Sequence, residues 1–221
     1  MTHQRKIVPA YTYLPEQEFR DITIKYKTFT EDEARLENLR LSIQSMGTGV
    51  YLAGLCPNQT YTVLRKNGRI WMSDTPMERN SNGRFIQGAH GKVFIGGLGI
   101  GLCVMPLLDC PDVKSVEVWE IDQDVIDLFS KHVKHSKLTI KQADILEEIP
   151  PTSVKYDSVL LDIWPNICLD NYDEMKTLKR RWGHRLNKEN PNAFLDIWSY
   201  SVLQYQKRQE YRERYAPYSW Y

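Results

Sequence analysis

Apolar and polar positions change rhythm near residue 91. Before it, short strand-like pieces mix with a single helical pattern. Thr30-Glu31-Asp32-Glu33 has the form of a capping box, and Leu36, Leu39, Ile43 and Met46 follow at helical spacing, with Gly47 as a stop. Residues 61–64 and 69–72 flank Lys66-Asn67-Gly68, and Asn-Gly between two apolar runs predicts a hairpin because both residues tolerate positive φ. After it, apolar strands alternate with amphipathic helices. Strands are expected at 92–95, 115–121, 138–141, 158–162 and 193–198. Helical stretches are expected at 99–109, at 123–133 with Val125, Phe129 and Val133 on one stripe, and after Asp170, which caps a face of Met175, Leu178, Trp182 and Leu186. Residues 202–215 also read as helical. This alternation predicts a doubly wound α/β fold with a parallel sheet covered on both faces. Two regions follow: 1–91, a helix and β-hairpin extension, and 92–221, the α/β unit with an aromatic and basic tail.

Composition narrows the class. The 221 residues carry 29 Lys and Arg against 28 Asp and Glu, a formal charge of +1, with 42% hydrophobic and 26% charged residues. Such a chain builds an ordinary core, which excludes wholesale disorder. The charge balance removes the simplest argument for a nucleic-acid or membrane partner, so a small-molecule substrate is favoured. No apolar run approaches the roughly 20 residues of a membrane span. The N-terminus lacks an apolar block with a small-residue cleavage site. Cys56, Cys103, Cys110 and Cys168 form no C-x-x-C pair, so buried reduced thiols and a cytoplasmic location are expected. His3, His90, His132, His135 and His184 make no metal-ligand set, and no metal is expected.

The strongest chemistry sits in Gly96-Gly97-Leu98-Gly99-Ile100-Gly101, directly after an apolar strand. A glycine turn running into a helix lets backbone amides approach a ligand beside the positive helix end. The dinucleotide fingerprint G-x-G-x-x-G is not met, since Leu102 stands at its third position; the spacing here is G-x-G-x-G. Nineteen positions after Gly101, at the end of the second strand, stands Glu120, near the offset of about 20 at which an acid accepts ribose hydroxyls. Asp122 competes for that role but, preceding 123–133, reads better as a helix N-cap.

That turn is similar to motif I of class I S-adenosylmethionine (SAM) dependent methyltransferases. The segment from Val116 through Glu120-Ile121-Asp122 to Ile126 resembles the E-I-D-x-x-V-I segment of their spermidine synthase branch. Gln142-Ala143-Asp144-Ile145 resembles the next motif, and Ser158-Val159-Leu160-Leu161-Asp162-Ile163-Trp164-Pro165 resembles motif IV. The resemblance covers roughly residues 60–198. It implies SAM as cofactor, with Gly96, Gly97, Gly99 and Gly101 at the methionine portion, Glu120 and Ile121 at the ribose, and Asp144 and Ile145 at the adenine. Asp162 would be catalytic, orienting the sulfonium end or accepting a proton, and Asp74 and Trp164 would meet substrate. Plainer roles stand beside these: a packing turn for the glycines, a turn cap for Asp144, loop ordering for Asp162 and a core lid for Trp164.

The resemblance stops short in two places. Asp162 lacks the second acid that aminopropyltransferases carry in S/T-x-D-P, and their D-E-x-S-Y-Q-E segment is replaced by Asp74-Thr75-Pro76-Met77-Glu78. Methyl transfer to an undetermined acceptor is therefore the leading expectation. An aminopropyltransferase or other SAM-consuming enzyme, and a non-catalytic SAM-binding module, are the alternatives. The sheet also lacks the last two strands of the methyltransferase type. Its open edge predicts a homodimer or cover by the tail, residues 211–221. Lys176, Lys179, Arg180, Arg181, Arg185 and Lys188 crowd one helix, whose solvated face explains them as well as an acidic partner does.

Overall fold

The computed structural model describes residues 5–45 and 54–215. Five parallel strands form the central sheet in the order β7-β6-β5-β8-β9. They are β5 (Gly91–Gly96), β6 (Val113–Glu120), β7 (Leu138–Gln142), β8 (Ser158–Leu161) and β9 (Phe194–Ile197). The chain starts at the centre, winds outward to β7, then returns to the other side of β5 for β8. Between β5 and β8 the connections diverge, and ligands of open α/β sheets bind above such a switch point.

Alternation along β5 divides the core between the two faces. Val93 and Ile95 join a cluster with Leu107, Val116, Val118 and Phe129, whereas Phe94 joins Trp119, Met175, Leu178 and Trp182. Phe94 and Trp182 stack with centroids 3.9 Å apart. All four residues of β8 are buried, as expected of a strand covered on both sides. The covering helices are α3 (Met105–Leu108), α4 (Gln123–Ser130), α5 (Tyr172–Gly183) and α6 (Tyr200–Tyr215). The expected helix 99–109 is mostly turns, because positive φ at Gly99 and Gly101 delays regular structure until Met105. Asp170 does not cap α5. It lies in a 3-10 turn, Leu169–Asn171, and the residue at the cap, Asn171, makes no side-chain capping bond.

A second, antiparallel sheet, β1-β2-β3-β4, precedes the first. It comprises β1 (Gln17–Phe19), β2 (Ile22–Thr28), β3 (Thr60–Lys66) and β4 (Arg69–Ser73). The hairpin turns on Asn67 (φ 50) and Gly68 (φ 74), the positive pair that a two-residue turn requires. Helix α1 (Glu31–Ser45) starts at the expected box: Thr30 N and Oγ1 both donate to Glu33 Oε2, at 2.9 and 3.1 Å. Its apolar stripe is not core, however. Leu36, Leu39 and Ile43 are 52–61% exposed, and Ala34 is the residue that buries. Met46 and Gly47 lie outside the described residues. Helix α2 (Pro76–Gly88) was not foreseen, and it lays Asn82, Phe85 and Ile86 into the core.

At the open edge, β9 is four residues long, and among the described residues no strand pairs beyond it. Its flanks are tucked against α2: Trp198 Nε1 donates to Ser81 Oγ at 3.0 Å, and Phe194 meets Phe85 at 5.7 Å. A strand this short needs less cover than the long displayed edge expected. Tail residues 216–221 lie outside the described residues. Cys103 and Cys110 are buried and Cys168 partly so, but Cys56 is exposed, against expectation. No helix among the described residues is long and apolar enough to cross a membrane.

Candidate active site

A cleft of about 330 Å³ opens above the C-terminal ends of the central strands. Across the sheet order, Asp144 follows β7, Glu120 ends β6, Gly97 follows β5 and Asp162 follows β8. Strands stand about 4.8 Å apart, so these four positions span about 14 Å, suited to an extended ligand. Gly97, Gly99, Glu120, Ile121, Asp144, Ile145, Asp162 and Trp164 all line the cleft.

Gly96, Gly101 and Asp74 do not. A Cβ on Gly96 would fall 2.8 Å from Ile145 Cδ1, and one on Gly101 2.2 Å from Phe129 Cε2. These two glycines serve close packing and not a ligand surface. Asp74 is fully buried and spent on the protein itself. Its Oδ1 accepts from Thr62 N at 2.6 Å, and its Oδ2 from Ala10 N at 2.8 Å and Arg79 at 3.2 Å. The expected substrate contact is thus a staple joining the N-terminal segment, β3 and α2.

Gly97 has φ 96, and a Cβ there would stand 2.0 Å from the Asp162 carbonyl oxygen. Only a glycine lets the turn after β5 cross so close to the loop after β8. A Cβ on Gly99 would meet Met72 Sδ at 2.2 Å, and that sulfur accepts from Ile100 N at 3.5 Å. The hairpin therefore closes over the glycine turn. Lys66 ties it down further through an ion pair with Asp122.

Glu120 and Asp122 divide the two acidic roles. Asp122 Oδ1 accepts from Asp124 N at 3.0 Å, the N-cap of α4, while its Oδ2 holds Lys66. Glu120, 8% exposed, accepts from Leu98 N through Oε2 and from Asp122 N through Oε1, each at 2.9 Å. Each oxygen keeps a lone pair, so the carboxylate can brace the turn and still accept from a ligand. Asp144 shares its duties likewise: Oδ1 accepts from Leu146 N at 2.8 Å, a turn cap beside the cleft. Arg181 on α5 and Arg185 just beyond its end hold this loop, so the basic residues expected on one helix run past it, Arg185 and Lys188 lying after Gly183. Arg181 donates to the carbonyls of Leu146 and Glu147, and Arg185 Nε to that of Pro150 at 2.7 Å. Trp164 is both wall and lid, its indole donating to Glu174 at 2.7 Å.

Asp162 receives a single side-chain hydrogen bond, from Asn82. Burial pushes its pKa up to about 7, opposed by that hydrogen bond. Glu78, which sequence reasoning passed over, lines the same cleft; burial first, then the charge of Asp162, pushes it up to about 8. Perturbed carboxyls in a cleft mark functional sites. The available signal was Pro76, a helix-starting residue that would have placed Glu78 in a first turn. Trp71, Met72, Cys103 and Trp198 were missed as well, since tertiary contact alone brings them to the cleft.

Together the sheet order, the glycine turn at its switch point and the row of acids define a Rossmann-like α/β protein with a cleft above its central strands. No family model matches the chain. It is 29% identical over 123 residues to a polyamine aminopropyltransferase of Leptospira interrogans, the match covering 51% of this chain and 24% of that protein. The chain thus aligns with about a quarter of that relative's length. Among solved structures it is similar to spermidine synthase from Thermotoga maritima, at 15% identity and TM-score 0.44 over 63% of this chain and 54% of that one. It is also similar to the CcbJ methyltransferase of Streptomyces caelestis, at 17% identity and TM-score 0.44 over 55% and 52%. The N-methyltransferase NodS of Bradyrhizobium japonicum is a third, at 17% and 0.43 over 56% and 68%.

Proposed function

We propose that the chain is a SAM-dependent methyltransferase acting on a small-molecule acceptor. The observation that carries this is the convergence of Gly97, Gly99, Glu120, Asp144 and Asp162 on one cleft. The residues suit the ligand chemically. The lone pairs left on Glu120 accept ribose hydroxyls, Asp144 accepts from the adenine amino group, and Ile121, Ile145 and Leu146 supply apolar walls for the ring. Gly97 and Gly99 leave bare backbone for the methionine portion. SAM supplies an electrophilic methyl group on a sulfonium sulfur. The protein's task is then alignment and exclusion of water, which can supply about 7–11 kcal/mol of acceleration. Asp162 orients the acceptor and takes its proton, a role that suits a pKa near 7. Calorimetric titration with SAM and with S-adenosylhomocysteine tests the reading. Binding to both is expected, and no heat at millimolar SAM overturns it.

The similarity to a polyamine aminopropyltransferase supports a second reading, transfer of an aminopropyl group. Chromatography of a turnover mixture separates the two. Methyl transfer leaves S-adenosylhomocysteine; aminopropyl transfer leaves methylthioadenosine.

A further inference from the structure

One end of the cleft carries a set of acceptors that SAM binding does not use. Glu78 lies in the first turn of α2, and Asn82, one turn later, is 1% exposed. Asn82 Nδ2 donates to the Glu78 carbonyl at 3.3 Å, and its amide also reaches Asp162. Its Oδ1 has no partner among the described residues. Cys103 lines the same space and stays a neutral thiol, held protonated by burial first and then by the charges of Asp162 and Glu78. The nearest cation along α2, Arg79, is turned onto Asp74. Among the described residues, no cation contributes to the titration of Glu78 or Asp162.

Two carboxyls therefore face the cleft, Glu78 with no donor and Asp162 with Asn82 alone, while Asn82 itself keeps an unpaired amide oxygen. Buried acceptors left so are costly, and a ligand rich in N–H donors and positive charge relieves them all. A neutral alcohol brings one donor and no charge; an anion adds repulsion. An ammonium group brings three donors. Trp71, Trp164 and Trp198 line the same cleft and offer surface to its carbon frame.

We propose that Glu78 and Asp162 together form the acceptor subsite, that this subsite selects a protonated amine, and that one carboxylate of the pair takes the amine's proton. The transfer step rests on the methyltransferase reading. The ammonium N–H bond breaks and its proton passes to the carboxylate. The freed nitrogen lone pair forms the N–C bond as the methyl C–S bond breaks, and that electron pair stays on sulfur. The products are a methylated ammonium and a neutral thioether, with the proton on the carboxyl pair.

Phenethylamine, 2-phenylethanol and 3-phenylpropionate match in shape and differ in charge. Their binding to the wild-type protein, Glu78→Gln and Asp162→Asn is read by NMR titration, with thermal melting to establish folding. The amine should bind at least tenfold tighter than either other probe, and each variant should lose at least tenfold for the amine and nothing for the alcohol. Equal binding of amine and alcohol, no amine binding at millimolar concentration, or an unchanged preference in folded Glu78→Gln overturns the proposal. SAM titrated in parallel keeps the two ideas apart. If SAM binds without an amine preference, the subsite fails alone; if the preference holds and SAM does not bind, methyl transfer fails and the cation subsite stands.

Discussion

Strand β8 has an aspartate immediately before its first residue and another immediately after its last. Asp157, at the lower end, is 8% exposed, yet every demand of its carboxylate is met. Oδ1 accepts from Asn187 at 2.9 Å and Asn190 at 2.8 Å, and Oδ2 accepts from Lys92 N at 2.8 Å. Burial raises its pKa, but hydrogen bonds from Asn190, Lys92 N and Asn187, with the charge of His90, outweigh it and leave the group below the ordinary range. Asp162, at the upper end, has only the bond from Asn82, which burial outweighs, and its pKa rises. One strand thus carries an acid whose hydrogen bonds complete the fold and an acid that faces the cleft with a single donor. Burial alone does not separate a structural carboxylate from a chemical one; the tally of donors does.

The largest expected effect comes from closing the upper end altogether. Gly97→Ala would place a Cβ 2.0 Å from the Asp162 carbonyl oxygen at φ 96, so both strain and overlap act against it. A loss of about 3 kcal/mol or more is expected in urea melts. Wild-type stability in that variant would mean that the turn and the β8 loop do not approach as described. Next, Asp157→Ala leaves Asn187, Asn190 and the Lys92 amide without an acceptor and should cost about 2–3 kcal/mol. Asp162→Asn at pH 8 should cost nothing or stabilise slightly. If the two lost equally, the distinction between the strand's ends would fail.

Why the sequence shows one end of this contrast and not the other is a matter of range. Runs such as Val93-Phe94-Ile95 and Val159-Leu160-Leu161 announce buried parallel strands, and Asn67-Gly68 announces its turn, since neighbours alone enforce both. The glycine turn and Glu120 share a local logic of strand end and spacing. Asp74 is different, because its partner Ala10 N is 64 residues away and nothing near Asp74 foretells it. Glu78 meets Asp162 only through packing of α2, a helix disguised by Asn80, Ser81, Asn82 and Gly83, poor formers that tertiary contact overrides. Strand β2 went unread, although Ile22 and Ile24 alternate with polar residues. On α1 the reverse holds. A helical period correctly marks the helix, but period does not say what covers the stripe, and Leu36, Leu39 and Ile43 face solvent.

The ribose assignment sharpens the same lesson on β6. Glu120→Ala should weaken SAM binding by roughly 1.5–3 kcal/mol, the range for a hydrogen bond to a charged group. It should also lower stability, because the Leu98 and Asp122 amides lose their acceptor. Asp122→Ala removes a helix cap and the Lys66 pairing, for about 1 kcal/mol of stability with little change in affinity. Calorimetry and melts on both variants decide it; exchanged phenotypes would reassign the ribose anchor to Asp122.

The smallest effect is a slope against pH, and it has opposite signs at the two ends of β8. Asp157 has a folded pKa below its unfolded value, so its stabilisation is present above about pH 4 and is lost as pH falls. For Asp162 and Glu78 the folded pKa lies above the unfolded one, at about 7 and about 8. There the native state holds protons that the unfolded chain has released, so stability is greatest near pH 4 and declines as pH rises toward 8. Other groups titrate in that window, so the comparison needs a difference. The melting temperature of wild type minus that of the double variant Glu78→Gln, Asp162→Asn isolates the pair. That difference should fall steadily as pH rises from 5 to 8. A saturating amine should flatten it, because the ligand's charge favours the ionised pair in the folded state. A difference that rises with pH would mean the two acids are already matched by cations, and the upper end of β8 would then be no different from the lower.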